Sequence, residues 1–432
     1  MIKKLFKYSL IFSLTLLVLL GLLILVAKIP QSAIKENVRE SANYYCDTGL
    51  FVRQIEGVNG SAIDHYADSI LVAIAYQYDE DKPLTSVMWS SYYFTAENNE
   101  NVNLLMAVEN DLEANQQYLR YWHGSNVVVR PLLTLCSVKG IYVVNAVVIG
   151  ALVIVLITIL VLKRAYVPAV AIGLGLVSTQ AWFVPGTFEY TWNFIIMLIM
   201  SIVGVSLGYN DKWSQVGALF LVGGMVTNYF DFLSTETITL TIPLLLLLWI
   251  RDKNSCDKER KDICTFTLKN VALWSVSYVG MWLSKWIIAA IVLGENTLPY
   301  VTGHVAERIG GDVGLNTLQC MYAALARNIR CLLPLEYGVT GVFVGVGLLV
   351  LALFVGYVYY GKKEDKRYIF IYLLIALVPY VRYVVLHNHA YLHYFFTYRA
   401  QIATVVAVIF ILELLTDRRW LSRGRKGRKK RA

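Results

Sequence analysis

Residues 143–162 read VVNAVVIGALVIVLITILVL, twenty positions without a charged side chain. At about 1.5 Å of rise per residue, a helix of this length matches the roughly 30 Å hydrocarbon core of a bilayer. Apolar on every face, such a helix has lipid or protein on all sides. Working outward, runs of the same kind recur at 5–27, 167–186, 192–209, 216–230, 238–250, 268–293, 339–360, 368–386 and 400–415. The expected fold class is therefore all-α polytopic membrane protein, with about ten transmembrane helices. Composition agrees: the chain is 57% hydrophobic and only 16% charged, with a mean hydropathy of +0.54, outside the ordinary range of water-soluble domains. The pair 216–230 and 238–250 is short for two crossings, and reads either as two spans or as a hairpin that dips partway.

Four segments follow: an anchor span at 1–27, a large and mainly helical extracytoplasmic loop at 28–140, a multispan region at 141–415 and a basic tail at 416–432. The first span follows Lys3 and Lys4, as a signal peptide would, but Val26-Ala27-Lys28-Ile29-Pro30 offers no small-x-small cleavage site, so a retained anchor is expected. Basic residues at 163–164, 212, 251–261 and 362–367 fall on the side of the N-terminal lysines when ten spans are counted. The excess of Lys and Arg on that side puts both termini in the cytoplasm. All six histidines, His65, His123, His304, His387, His389 and His393, then lie on the opposite side.

The net charge of +9 is concentrated in the tail, with nine Lys and Arg between Arg418 and Arg431. Directly after an apolar run, this reads as attraction to anionic lipid, with no nucleic-acid partner. No G-x-x-x-x-G-K-[ST] loop occurs and the inner connectors are too short for a nucleotide-binding domain, so no nucleotide cofactor is expected. The six cysteines have no zinc spacing; pairing of Cys46 with Cys136 or of Cys320 with Cys331 is open. No internal repeat is visible.

Chemistry is expected on the outer side. Asp64 and Asp68, in Ile63-Asp-His-Tyr-Ala-Asp68, sit four apart at a helix start, where they share a face and serve either as base or metal ligands or as ordinary capping carboxylates. Arg120, His123 and Arg130 combine cations with aromatics ahead of the second span, as interfacial anchors or as phosphate holders. Asp231 and Glu236 bracket a short outer turn, and Lys285 lies several residues inside a span, where it snorkels or serves a polar cavity. Arg327 and Arg330 share a face of an amphipathic helix of the kind that lies in the membrane interface. The last outer connector, His387 to Arg399, packs His389, His393, a run of aromatic residues and Arg399 into thirteen positions. His389 and His393 have zinc-ligand spacing, yet without the H-E-x-x-H glutamate, and no G-x-S-x-G elbow is present.

Asp64-His-Tyr-Ala-Asp68, Tyr121-Trp-His-Gly124, Asp231-Phe-Leu233, Asn388-His389 and Phe396-Thr-Tyr-Arg399 together resemble bacterial multispan proteins similar to the GT-C superfamily of glycosyltransferases. The resemblance implies transfer of a sugar from a polyprenyl-phosphate donor to an envelope glycan or lipid acceptor. It makes Asp64 or Asp68 the base, sometimes aided by a divalent metal ion, with Lys285, Arg327, Arg330 and Arg399 steadying the leaving phosphate. The competing readings are a transporter or flippase for a lipid-linked saccharide, and a non-catalytic scaffold of an envelope-synthesis complex. The setting implied is the bacterial plasma membrane.

Overall fold

The computed structural model describes residues 2–254, 262–297, 299, 302–303, 313–359 and 366–416. His304, Cys256, most of the 251–261 and 362–367 connectors and nearly all of the basic tail lie outside them. Each of the ten apolar stretches is helical. Seven of these helices are long and apolar enough to cross a membrane: Leu5–Ala27, Val138–Leu162, Thr191–Tyr209, Ile263–Leu293, Leu335–Ala352, Lys366–Val385 and Tyr394–Leu415. The chain is an all-α polytopic membrane protein.

The other three stretches are shorter than a free-standing span. The expected 167–186 helix is Tyr166–Ser178, because Gln180 takes a left-handed φ of 51° and the chain continues as the 3-10 turn Ala181–Gly186 containing Pro185. The pair in question forms Trp213–Phe230 and Ile238–Asn254, of 18 and 17 residues. Every residue from Ile238 to Asp252 is buried, so this helix is a central post of the bundle. It packs against Thr191–Tyr209, where a Cβ on Gly204 would meet Leu247 and one on Gly208 would meet Ile250 and Leu247. Protein, not lipid, surrounds it, which removes the length requirement that lipid exposure imposes.

Residues 28–140 fold as five helices, Gln31–Thr48, His65–Tyr76, Pro83–Trp89, Glu100–Glu109 and Asn126–Leu133, with one two-stranded antiparallel hairpin, Phe51–Arg53 against Ala62–Asp64. They do not build a core of their own. Ile34, Val38, Tyr45 and Ile74 share one apolar cluster with Leu19 and Leu23 of the first helix, Met225 and Tyr229, and Met281 and Ala289. Polar clamps lock the junction. The Trp122 indole donates to the Met281 carbonyl (2.8 Å), and the Gly124 amide to that of Tyr229 (2.9 Å), an approach so close that a Cβ on Gly124 would overlap the Tyr229 ring.

Two candidate phosphate-binding cations belong to this junction. Lys285 neither snorkels nor faces a cavity: it is fully buried and its ammonium donates to the carbonyls of Val87 (2.7 Å) and Met88 (3.2 Å), closing the end of the Pro83–Trp89 helix. Arg130 is likewise buried and ties together the carbonyls of Ala75, Ile29 and Tyr78. Cys46, Cys136, Cys320 and Cys331 are all free thiols. Cys320 and Cys331 are eleven positions apart along one helical stretch, about 16 Å of rise and well beyond disulfide reach.

Candidate functional site

A cleft of about 890 Å³ opens at one end of the bundle, between the first loop and the last connector. Its walls come from four connectors that alternate along the chain, those following the Ile2–Ala27, Tyr166–Ser178, Trp213–Phe230 and Lys366–Val385 helices. Of the residues singled out in the sequence, Asp64, Asp68, Arg120, His123, His389 and His393 meet here. Arg53 and Glu189 join them.

The His65–Tyr76 helix begins at the hairpin's second strand, and Asp64 is its N-cap: one carboxyl oxygen accepts the Ala67 amide at 2.9 Å. Asp68 faces inward from the first turn and is saturated. Its Oδ2 accepts the Tyr142 hydroxyl (2.5 Å), and its Oδ1 accepts both the Thr187 hydroxyl (3.0 Å) and the Phe188 amide (2.8 Å). Tyr142 in turn meets the Tyr45 hydroxyl at 2.9 Å. Asp68 thus fastens the 187–189 turn to the helix, and that turn carries Glu189 to Asp64.

Asp64 and Glu189 are both buried in the cleft wall, with Glu189 acting on Asp64 as a hydrogen-bond partner. Burial pushes Asp64 up to about 6, with the Ala67 amide and Glu189 pulling the other way. Asp68 is pushed by burial up to about 8, against the Tyr142, Phe188 and Thr187 donors that lower it and with the nearby Asp64 carboxyl adding to the rise. Two carboxyls in one wall therefore differ in role: Asp68 is occupied on both oxygens, while Asp64 keeps one oxygen beyond the cap.

Facing the acids are rings and cations. Phe51 stacks on Tyr66 (6.2 Å between centroids) and meets Phe395 edge-on (5.8 Å), forming a half-exposed aromatic lip. Deeper, the Arg120 guanidinium lies over the rings of Tyr118 (4.4 Å) and Tyr121 (5.2 Å) and donates to the Tyr118 hydroxyl. His123, at a left-handed φ of 53°, donates from Nε2 to the Tyr118 carbonyl (2.9 Å), since a carbonyl can only accept. Burial depresses it to about 3, which keeps it neutral and rules it out as a general acid. His389 and His393 lie ring against ring, 4.6 Å between centroids, on the opposite wall.

The remaining candidates lie outside the cleft. Asp231 closes its own turn, accepting the Leu233 (2.9 Å) and Ser234 (3.1 Å) amides, the Asn193 amide group (2.8 Å) and the Tyr278 hydroxyl (2.8 Å). Glu236 is not a solvated turn residue but half of a buried ion pair with Arg382 (2.5 Å). Arg399 is buried between the Tyr190 and Tyr398 rings and donates to the carbonyls of Phe395 (2.9 Å) and Gly60 (2.6 Å), tying the last connector to the hairpin loop. Arg327 lies on Tyr391 at 3.8 Å and donates to its carbonyl and hydroxyl, while Arg330 is exposed at the helix end.

Among the described residues no three His, Cys, Asp or Glu side chains converge as a metal-binding group. The chain matches no known family model, no curated protein and no solved structure.

Proposed function

We propose that the cleft transfers a sugar from a polyprenyl-phosphate donor to a hydroxyl of an envelope glycan or lipid, as the GT-C resemblance implies. The observation that carries this reading is the Asp64–Glu189 carboxyl pair in the wall of an aromatic cleft. In this reading Asp64 is the general base: with its ordinary value raised to about 6, it is ionised at neutral pH yet basic enough to take a proton from an acceptor hydroxyl. The proton that Asp64 takes passes to the departing phosphate or to water, which restores the carboxylate, and Glu189 tunes Asp64 as its hydrogen-bond partner. The Phe51, Tyr66 and Phe395 lip supplies faces for a sugar ring, and Arg53 and Arg120 take the place first given to Lys285 and Arg399 as holders of the leaving phosphate.

Delivery through lipid suits a chain with seven long apolar helices among its described residues and a cleft assembled from alternate connectors. In this reading the cleft faces the extracytoplasmic side of a bacterial plasma membrane and both termini are cytoplasmic, which the positive-inside bias of the other connectors supports.

The test is turnover of a polyprenyl-phosphate sugar by the purified chain in detergent, with and without Asp64→Asn. Asn caps a helix as well as Asp does, so the variant should stay folded while transfer falls by about 10²–10⁴-fold. Full activity in a folded Asp64→Asn chain rejects the base assignment. Movement of the lipid-linked sugar across sealed vesicles without chemical change would instead favour transport, and stable partners without turnover a scaffold.

A further inference from the structure

The Thr317–Arg330 helix presents an apolar face to the outside. It opens with a capping box, Asn316 accepting the Gln319 amide and the Gln319 side chain accepting the Asn316 amide. Cys320, Ala324 and Asn328 form its buried face, packed on the His387–Leu392 helix. A helix with one buried face in water turns polar residues outward. Here Leu318 (78% exposed), Tyr322 (75% exposed) and Ile329 point away from the protein in one stripe, spaced four and seven residues apart, and Arg330 flanks it.

Two further observations say what covers the stripe. Only residues 331–337 separate this helix from Gly338–Tyr359, whose exposed Val339, Phe343 and Val346 mark a span wrapped in lipid. Arg330, at the stripe's edge, has the charge that anionic headgroups attract. We propose that the Thr317–Arg330 helix lies in the headgroup layer of the same membrane, with Leu318, Tyr322 and Ile329 in the acyl boundary and Arg330 at the lipid phosphates.

This goes beyond the reading of the cleft as a transferase and does not depend on it. It also fixes where the cleft opens. Arg327 is bonded to Tyr391, and Asn328 donates to the Ala390 carbonyl (2.9 Å) and accepts the Thr397 hydroxyl (2.7 Å), so the helix is joined directly to the connector bearing His389, His393 and Tyr394. A helix held in the headgroups would keep that wall of the cleft at the lipid surface.

The experiment attaches an environment-sensitive fluorophore to Tyr322→Cys of the full chain in nanodiscs of mixed zwitterionic and anionic lipid. The wild-type chain, labelled identically, sets the background of the six native cysteines. The expected result is blue-shifted emission, quenched more by nitroxides near the acyl carbonyl than by those near the terminal methyl, and less by aqueous iodide than the same label at the exposed Glu97→Cys. Iodide quenching equal to that control, with no nitroxide effect, would place the helix in water and overturn the proposal. Stronger quenching by the deep nitroxide, or a shielded label insensitive to nitroxides with energy transfer between chains, would overturn it equally, in favour of a core span or a second copy.

Discussion

Replacing Asp68 separates its positioning role from the chemistry of Asp64. Alanine at this position takes the acceptor from the Tyr142 hydroxyl, the Thr187 hydroxyl and the Phe188 amide. Tyr142 can turn its proton to Tyr45, so two buried donors are stranded, and at about 1–3 kcal/mol each the fold loses about 2–6 kcal/mol. Asparagine should cost under about 1 kcal/mol, because its oxygen can keep Thr187 and Phe188 while its NH₂ donates to Tyr142, which passes its own proton to Tyr45.

The two variants also differ from the wild type in pH dependence. Asp68 goes from an ordinary 3.8 to about 8 on folding, so between those values the folded state holds a proton that the unfolded state lacks. Stability from this group is therefore fully present below about pH 4, declines as pH rises and is lost above about pH 8. Asp64 adds a similar but narrower decline, ending near pH 6, that both variants retain. Unfolding of purified protein in mixed micelles of increasing denaturing-detergent fraction, across this range, should show Asp68→Asn gaining on the wild type as pH rises. An asparagine variant as unstable as the alanine one, or a gap between Asn and wild type that ignores pH, would refute the hydrogen-bond reasoning.

Three other outcomes follow. Because Glu189 donates to Asp64 and lowers it, Glu189→Ala should move the rise of kcat/KM, expected near pH 6, to higher pH, whereas Glu189→Gln keeps a donor and leaves it in place; a pH–rate profile decides. Lys285→Met strands the Met88 carbonyl at about 1–3 kcal/mol, while that of Val87 keeps the Ser90 hydroxyl, so the chain should unfold more easily while transfer per folded molecule is unchanged, and a stable but inactive variant would restore Lys285 as a substrate ligand. Arg382→Met leaves Glu236 charged and alone in the interior, at a cost of about 3–5 kcal/mol, and adding Glu236→Leu should recover most of it in the same unfolding assay.

The fold was legible because lipid exposure writes a one-dimensional signal. Residues 143–162 face lipid along much of their length, and their uniform apolarity marks a span without reference to any partner. The signal weakened where helices are covered by protein. Ile238–Asn254 carries a proline and a charged end and is too short for a bilayer crossing by itself, yet it is the most buried helix of the bundle. Residues 167–186 failed in the other direction: uncharged, and apolar apart from Ser178-Thr-Gln180, but broken at Gln180 by a left-handed turn that a hydropathy window does not register.

At the site, the sequence supplied residue types and the fold sorted them by what already held them. Seven of the candidate ions, Arg130, Asp231, Glu236, Lys285, Arg327, Arg399 and Asp68, are bonded to carbonyls, amides, hydroxyls or one another. Such partners are backbone atoms or residues far along the chain, and spacing along a sequence cannot reveal them. Glu189 was passed over for the converse reason. It is a single acid in Thr187-Phe-Glu-Tyr190, just ahead of an apolar helix, with no motif around it; its meaning comes from Asp68, which pins the turn that brings it to Asp64. The four-residue spacing of Asp64 and Asp68 does bring both to one wall of the cleft, although they are held there differently. One draws the third carboxylate in and the other receives it.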